Sequence, residues 1–192
     1  TAYDLDSASP LPAITVWESP ESWHYVTYGL TELFDKSSQH QYISGFGFEL
    51  TFRLAKGEES EPPLWALRLL QALGGNILHS KQRLDSGHCL NLGGPIAPPS
   101  SGVTTNLSGF VCIPDPRLGK MDDGPFGSVL FLQLVGLDSE ELTLFRDYEL
   151  RAVVDAVAEL SADGITDPGR SSWAADPQKS KILRRFKVGL EL

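Results

Sequence analysis

Two cysteines in 192 residues are too few to build a disulfide framework. Cys112 lies inside an apolar run, Phe110-Val111-Cys112-Ile113, where a thiol acts as a small buried hydrophobe, and both Cys89 and Cys112 are expected to be reduced. The four histidines, His24, His40, His79 and His88, include no pair at helical ligand spacing, so no metal site is expected. Phosphate-binding sequences are missing too. Gly45-Phe46-Gly47 lacks the third glycine and following helix of a dinucleotide fingerprint, and Gly93-Gly94 lacks the Lys-Ser/Thr of a phosphate loop. There is no Gly-x-Ser-x-Gly elbow, and Met121-Asp122-Asp123-Gly124 lacks the alternating oxygen ligands of a calcium loop. Neither a cofactor nor a catalytic role is expected. Basic charge is also scarce, with 16 Lys and Arg against 25 Asp and Glu, a net charge of −9 that repels phosphate backbones and anionic membranes. No apolar run is long enough to cross a bilayer. A cytoplasmic address is expected from these absences, although a chain that begins at Thr1 without Met leaves room for a removed leading segment.

What the chain does contain is led by Ser44 to Ala55. Phe46, Phe48, Leu50, Phe52 and Leu54 alternate with Gly47, Glu49, Thr51 and Arg53, the period-two pattern of a strand with one face in a core. Glu49, Thr51 and Arg53 share the other face. A solvated, salt-bridged row is the ordinary reading of such a face; the functional one is that all three meet a partner. The acidic turn at Asp122 and Asp123 joins them as a second candidate partner-binding element, suited to a basic protein.

Strands are expected at Ala13 to Glu18 and Trp23 to Leu30, forming an antiparallel meander with the Ser44 strand. Leu64, Trp65, Leu67, Leu69, Leu70, Leu73 and Ile77 recur at helical spacing behind Pro63, with Gly74-Gly75 weakening the last turns. Residues 84–106, rich in Gly, Pro and Ser, read as a functional or mobile excursion. Short strands at Gly109 to Ile113 and Ser128 to Val135 follow, the second apolar on both faces as a covered central strand must be. Asp138-Ser139-Glu140-Glu141 opens one or two helices that run to Leu160. Asp163 to Arg170 reads as a strand ending in a turn, across which Asp167 and Arg170 are expected to pair. Trp17, Trp23 and Trp65 are expected in or beside the core, exposure being what would make one an interface anchor. The expected fold is a single α+β domain over residues 13–170, a mixed, largely antiparallel sheet packed against helices. A tail over 171–192 carries a short basic helix.

Several blocks in unbroken order resemble the Suppressor of fused family, in particular its N-terminal domain. They are Trp23 to Leu33, Ser44 to Leu54, Pro62-Pro63-Leu64-Trp65 with Leu69-Leu70, Gly87-His88, Asp115-Pro116, Pro125 to Leu137 with Glu140-Glu141-Leu142, and Ile165-Thr166-Asp167 with Arg170. Pro168-Gly169 interrupts the last block, and nothing resembles the second domain of the animal proteins. The resemblance implies a non-catalytic domain that holds another protein. In animal members an extended segment of a zinc-finger transcription factor is gripped between two domains; stand-alone bacterial members look like immunity proteins that neutralise a toxin. An enzyme with a site assembled across the fold and a scaffold component of a larger complex are the competing readings.

Overall fold

The computed structural model describes residues 2–4 and 9–187. Its strands are β1 (Ala2–Asp4), β2 (Ala13–Glu18), β3 (Ser22–Tyr28), β4 (Ile43–Ala55), β5 (Cys89–Asn91), β6 (Leu107–Pro114), β7 (Lys120–Met121) and β8 (Ser128–Asp138). Its α-helices are α1 (Leu64–Ser80), α2 (Ser139–Arg146), α3 (Leu150–Leu160) and α4 (Lys179–Lys187). One sheet takes the order β1-β2-β3-β4-β8-β6-β5, with β7 paired to β8. The pairings of these strands are antiparallel except at the centre, where β4 and β8 run parallel.

The alternation of β4 decides how the layers stack. Phe48, Leu50, Phe52 and Leu54 are buried with Trp65, Leu67, Leu70 and Ile77 of α1 in one core. Phe52 meets Trp65 and Phe110 edge-on, with ring centroids 6.1 and 5.7 Å apart. Burial of one such aromatic side chain contributes on the order of 2 to 3 kcal/mol. Across the sheet, Val111, Ile113, Val135 and Leu137 pack under α2, α3 and α4 with Phe145, Val157, Trp173 and Leu183 in a second core. Helices therefore lie on both faces of the sheet, α1 against β3 and β4 on one side and α2 against β6 and β8 on the other. Cys112 belongs to the first core and Cys89 packs against the second, so the two free thiols face opposite sides.

Several expectations change at this level. The end of α1, left loose by Gly74-Gly75, lies at Ser80; a Cβ at Gly74 would lie 2.5 Å from Leu11, so the glycine makes room for the N-terminal segment. Residues 84–106 are not an unpacked excursion, because they include β5, and Ile96 and Ala97 are buried in the first core. The entrance of β4 is irregular. Gly45 adopts φ +53°, the Phe46 amide donates to Leu30 O, and the pairing with β8 shifts register between Ile43 and Phe48. The segment from Asp138 to Leu160 forms two helices, the first held by a capping box in which Asp138 and Glu141 each accept from the other's amide.

The expected strand near Asp163 is reduced to one parallel bridge, Leu54 to Thr166, whose placement matters more than its length. The registered pairing of β4 with β8 ends at Phe52 and Leu134, and Thr166 sits where the strands part. Its amide donates to Arg53 O, its carbonyl accepts from the Ala55 amide, and its hydroxyl accepts from the Gly136 amide at 2.9 Å. One residue thus satisfies backbone groups of both strands. The tail carries α4 as expected; residues 188–192 lie outside the described residues.

Candidate functional site

On the second face of β4, Glu49, Thr51 and Arg53 are buried, at 2%, 0% and 5% exposure. This corrects the reading of a wet face, and it also keeps these side chains out of direct reach of a partner. What they bind instead is loop backbone and the side chains that lead into it.

Glu49 holds the loop after β3. Its Oε1 accepts from the amides of Gly29, Leu30 and Thr31 at 2.9, 3.1 and 2.8 Å, and its Oε2 accepts from Thr27 Oγ1 at 2.7 Å. Burial pushes the Glu49 carboxyl up in pKa against the pull of these donors. Further along the same loop, Glu32 accepts from the amides of Ser37, Ser38 and Gly45 and pairs with Lys36 at 3.0 Å. Burial would raise the Glu32 carboxyl, but these amides and Lys36 hold it well below the usual carboxylate range. Lys36 Nζ also donates to the carbonyls of Ile43 and Phe126.

Asp115 holds the second loop, between β6 and β7. Its Oδ2 accepts from His24 Nε2 and Thr51 Oγ1, both at 2.8 Å. Its Oδ1 accepts from Arg53 Nη2 at 3.1 Å and from the amides of Arg117 and Leu118 at 2.9 and 3.0 Å. Burial opposes ionisation of Asp115, yet His24, the two amides and Thr51 together pull its pKa well below the usual range. Arg53 Nε donates to Gln133 Oε1 at 3.0 Å, and Gln133 Nε2 donates to the carbonyls of Asp163 and Gly164. A buried ion pair of this kind is tolerated because its polar atoms find several partners.

His24, Asp115 and Thr51 invite comparison with a nucleophilic triad, but the geometry is different. The hydroxyl and the imidazole both donate to the same carboxylate, so the histidine does not serve Thr51 as a base, and Thr51 is fully buried. Among the described residues there is no group of three His, Cys, Asp or Glu side chains placed to hold a metal ion. Burial raises the Cys89 thiol to about 11 and the Cys112 thiol to about 12, so neither is an activated nucleophile. No helix among the described residues is long and apolar enough to cross a membrane.

A third buried carboxylate, Glu141, does more than its place at a helix start suggests. It pairs with Arg170, accepts from the Trp173 amide at 2.6 Å and caps α2. Arg170 stacks over Trp173 at 3.9 Å and donates to Gly136 O, so it does not pair with Asp167 as expected; Asp167 accepts from the Gly169 amide instead. Trp17 is likewise corrected: it is 62% exposed, whereas Trp23 and Trp65 are buried. The capping sequence points to Glu141 as a helix-start acid, but its link to Arg170 joins residues far apart in the chain and has no local signal.

Asp122 and Asp123 lie apart from this interior, beside an open groove of about 860 Å³. One wall of the groove includes Lys36, Gln41 and Tyr42, and the other includes Asp122, Asp123 and Phe126. The first wall belongs to the loop held by Glu49 and Glu32, and the second follows the loop held by Asp115. The five candidate residues are therefore brought into one arrangement without forming a single surface: three lie inside and two outside.

A mixed sheet with helices on both faces and a sealed polar interior defines an α+β domain, and comparison with known proteins places it. The family model of the Suppressor of fused protein matches residues 7–171, and the chain belongs to that family. It is 30% identical to the Suppressor of fused homolog of Homo sapiens over an alignment covering 98% of this chain and 42% of that protein. The chain thus spans less than half the length of this curated relative. A chain in the Sufu-Fu complex crystal structure superposes with TM-score 0.79 at 27% identity, covering 91% of this chain and 83% of that one. Drosophila Suppressor of Fused gives TM-score 0.78 at 26% identity, covering 92% of this chain and 46% of that one. A homolog from Neisseria gonorrhoeae, 16% identical with TM-score 0.61, covers 90% of this chain and 86% of that one and shares the fold.

Proposed function

We propose that this chain acts without catalysis, in the cytoplasm, by binding and holding a protein partner. The observation that carries this reading is the use of the buried polar groups. The residues best equipped for acid-base chemistry, Glu49, Asp115 and His24, are committed to fixing loops, which leaves shaped loop surface as what the molecule presents. Membership of a family that includes a chain in a Sufu-Fu complex supports the same reading. In this account Asp122 and Asp123 contact the partner, while Glu49, Thr51 and Arg53 position the loops from inside.

A more specific form is an immunity-type inhibitor that covers a basic toxin. Its support is the net charge of −9, which favours encounter with a cationic protein. Co-purification with the product of the neighbouring gene, followed by calorimetry, tests both forms. A saturable one-to-one complex is expected, with association slowed by charge reversal at Asp122 and Asp123. Absence of binding to a basic neighbour would remove the immunity reading, and turnover of a substrate by the pure chain would remove the non-catalytic one.

A further inference from the structure

Beyond the acidic turn itself, the groove beside it has the attributes of a seat prepared in advance. Its two walls are irregular chain, and loops of that kind bind poorly when they must be ordered on contact. Here the ordering is already done. Glu32 fixes the start of the first wall through the amides of Ser37 and Ser38, Glu49 holds residues 29–31 that lead into it, and Asp115 fixes the loop leading into the second. Lys36 then ties one wall to the other by donating to Ile43 O and Phe126 O.

The groove's surface chemistry points to one kind of occupant. Tyr42 is 79% exposed on one wall and Met121 is 43% exposed beside the other, the residue types that serve as anchors at protein interfaces. Both nearby lysines are already matched, Lys36 by Glu32 and Lys120 by Asp122. Asp123 has no ion pair among the described residues, so the unmatched charge of the groove is negative. A volume of about 860 Å³ is large for a single side chain and suits a ligand of a few residues.

We propose that this groove seats a short extended segment of a protein partner, carrying a cationic side chain toward Asp123 and an apolar one onto Tyr42. The proposal rests on the protein-binding reading above and names the surface that reading uses. It is tested by titrating the full chain with a labelled peptide of alternating Arg and Leu, and with its Glu and Leu counterpart, while following backbone amide shifts by NMR. Saturable shifts confined to residues 36–42 and 120–128 are expected for the Arg peptide alone. Asp123→Lys and Tyr42→Ala should each weaken that binding about tenfold or more, whereas Glu61→Lys, at a remote exposed position, should leave it unchanged.

Saturable shifts elsewhere, equal binding of the acidic peptide, or no saturable shift with the Arg peptide would each overturn the groove. The underlying reading is separated by the natural partner. If that partner binds the Asp123→Lys and Tyr42→Ala variants as tightly as the parent chain, the groove is wrong and protein binding stands. Amide shifts of the free variants, compared with the parent, show that the fold is retained before either peptide is added.

Discussion

The two faces of β4 are both buried, and they are buried by different means. Under α1 the strand offers Phe48, Leu50, Phe52 and Leu54 to an apolar core; on the reverse it offers Glu49, Thr51 and Arg53 to loops. Apolar contact is non-directional and tolerates small shifts, whereas each hydrogen bond on the polar face specifies one donor and one acceptor. The first face stabilises the strand's place in the sheet. The second specifies where the loops lie, which is the property a recognition surface needs.

Substitutions can separate these two roles, beginning with the largest effect. Phe52→Ala removes a ring packed against Trp65, Phe110 and Tyr25 and should cost about 3 to 5 kcal/mol in a denaturant titration. Thr51→Ala, on the reverse face, loses one bond to Asp115 and should cost about 1 kcal/mol. Equal losses would mean that the two faces do not divide the work in this way.

Asp115→Asn should cost about 2 to 4 kcal/mol, because it leaves Arg53 buried without its charge partner. It also carries a pH signature. The folded pKa of Asp115 lies below its ordinary value of 3.8, so its stabilisation is present above that value and is lost as pH falls toward the folded pKa. The parent chain should lose stability through this acid range more steeply than Asp115→Asn, as followed by thermal unfolding at successive pH values. Identical slopes would show that Asp115 is not the group responsible.

Glu49→Gln should have the smallest global effect of the buried acids, about 1 to 3 kcal/mol, since one amide oxygen remains to accept. Its local effect should be larger. Whichever way the Gln amide turns, one of its ends is an amino group set among donors, so hydrogen exchange at residues 29–31 should quicken more than exchange in β8. Uniform quickening across the sheet would place Glu49 in the general core instead.

The apolar face of β4 was legible because period-two alternation states a facing directly. Its polar face was not, since Glu49, Thr51 and Arg53 alternate in the same way whether water or protein covers them. The deciding partners are remote: Asp115 meets Arg53 across 62 residues and His24 across 91. Trp17 shows the reverse failure, where a strand that reads as half-buried leaves its largest side chain exposed at 62%. The helix at Leu64 and the central strand at Ser128 were clear from local pattern alone, and the family resemblance rested on blocks such as Ile165-Thr166-Asp167 whose physical purpose only the sheet reveals.

Thr166 also sets an order of events in time. It bridges to Leu54, and β8 must already lie beside β4 before the gap that Thr166 fills exists. Closing the centre of the sheet therefore waits on chain that is made late, and contacts of such high sequence separation form slowly. During synthesis the β2-β3-β4 meander can form first, with the side of β4 that will receive β8 still unpaired, an arrangement open to pairing with another chain. β8 covers that side along Phe48 to Phe52, and Thr166 closes what is left at Arg53 to Ala55.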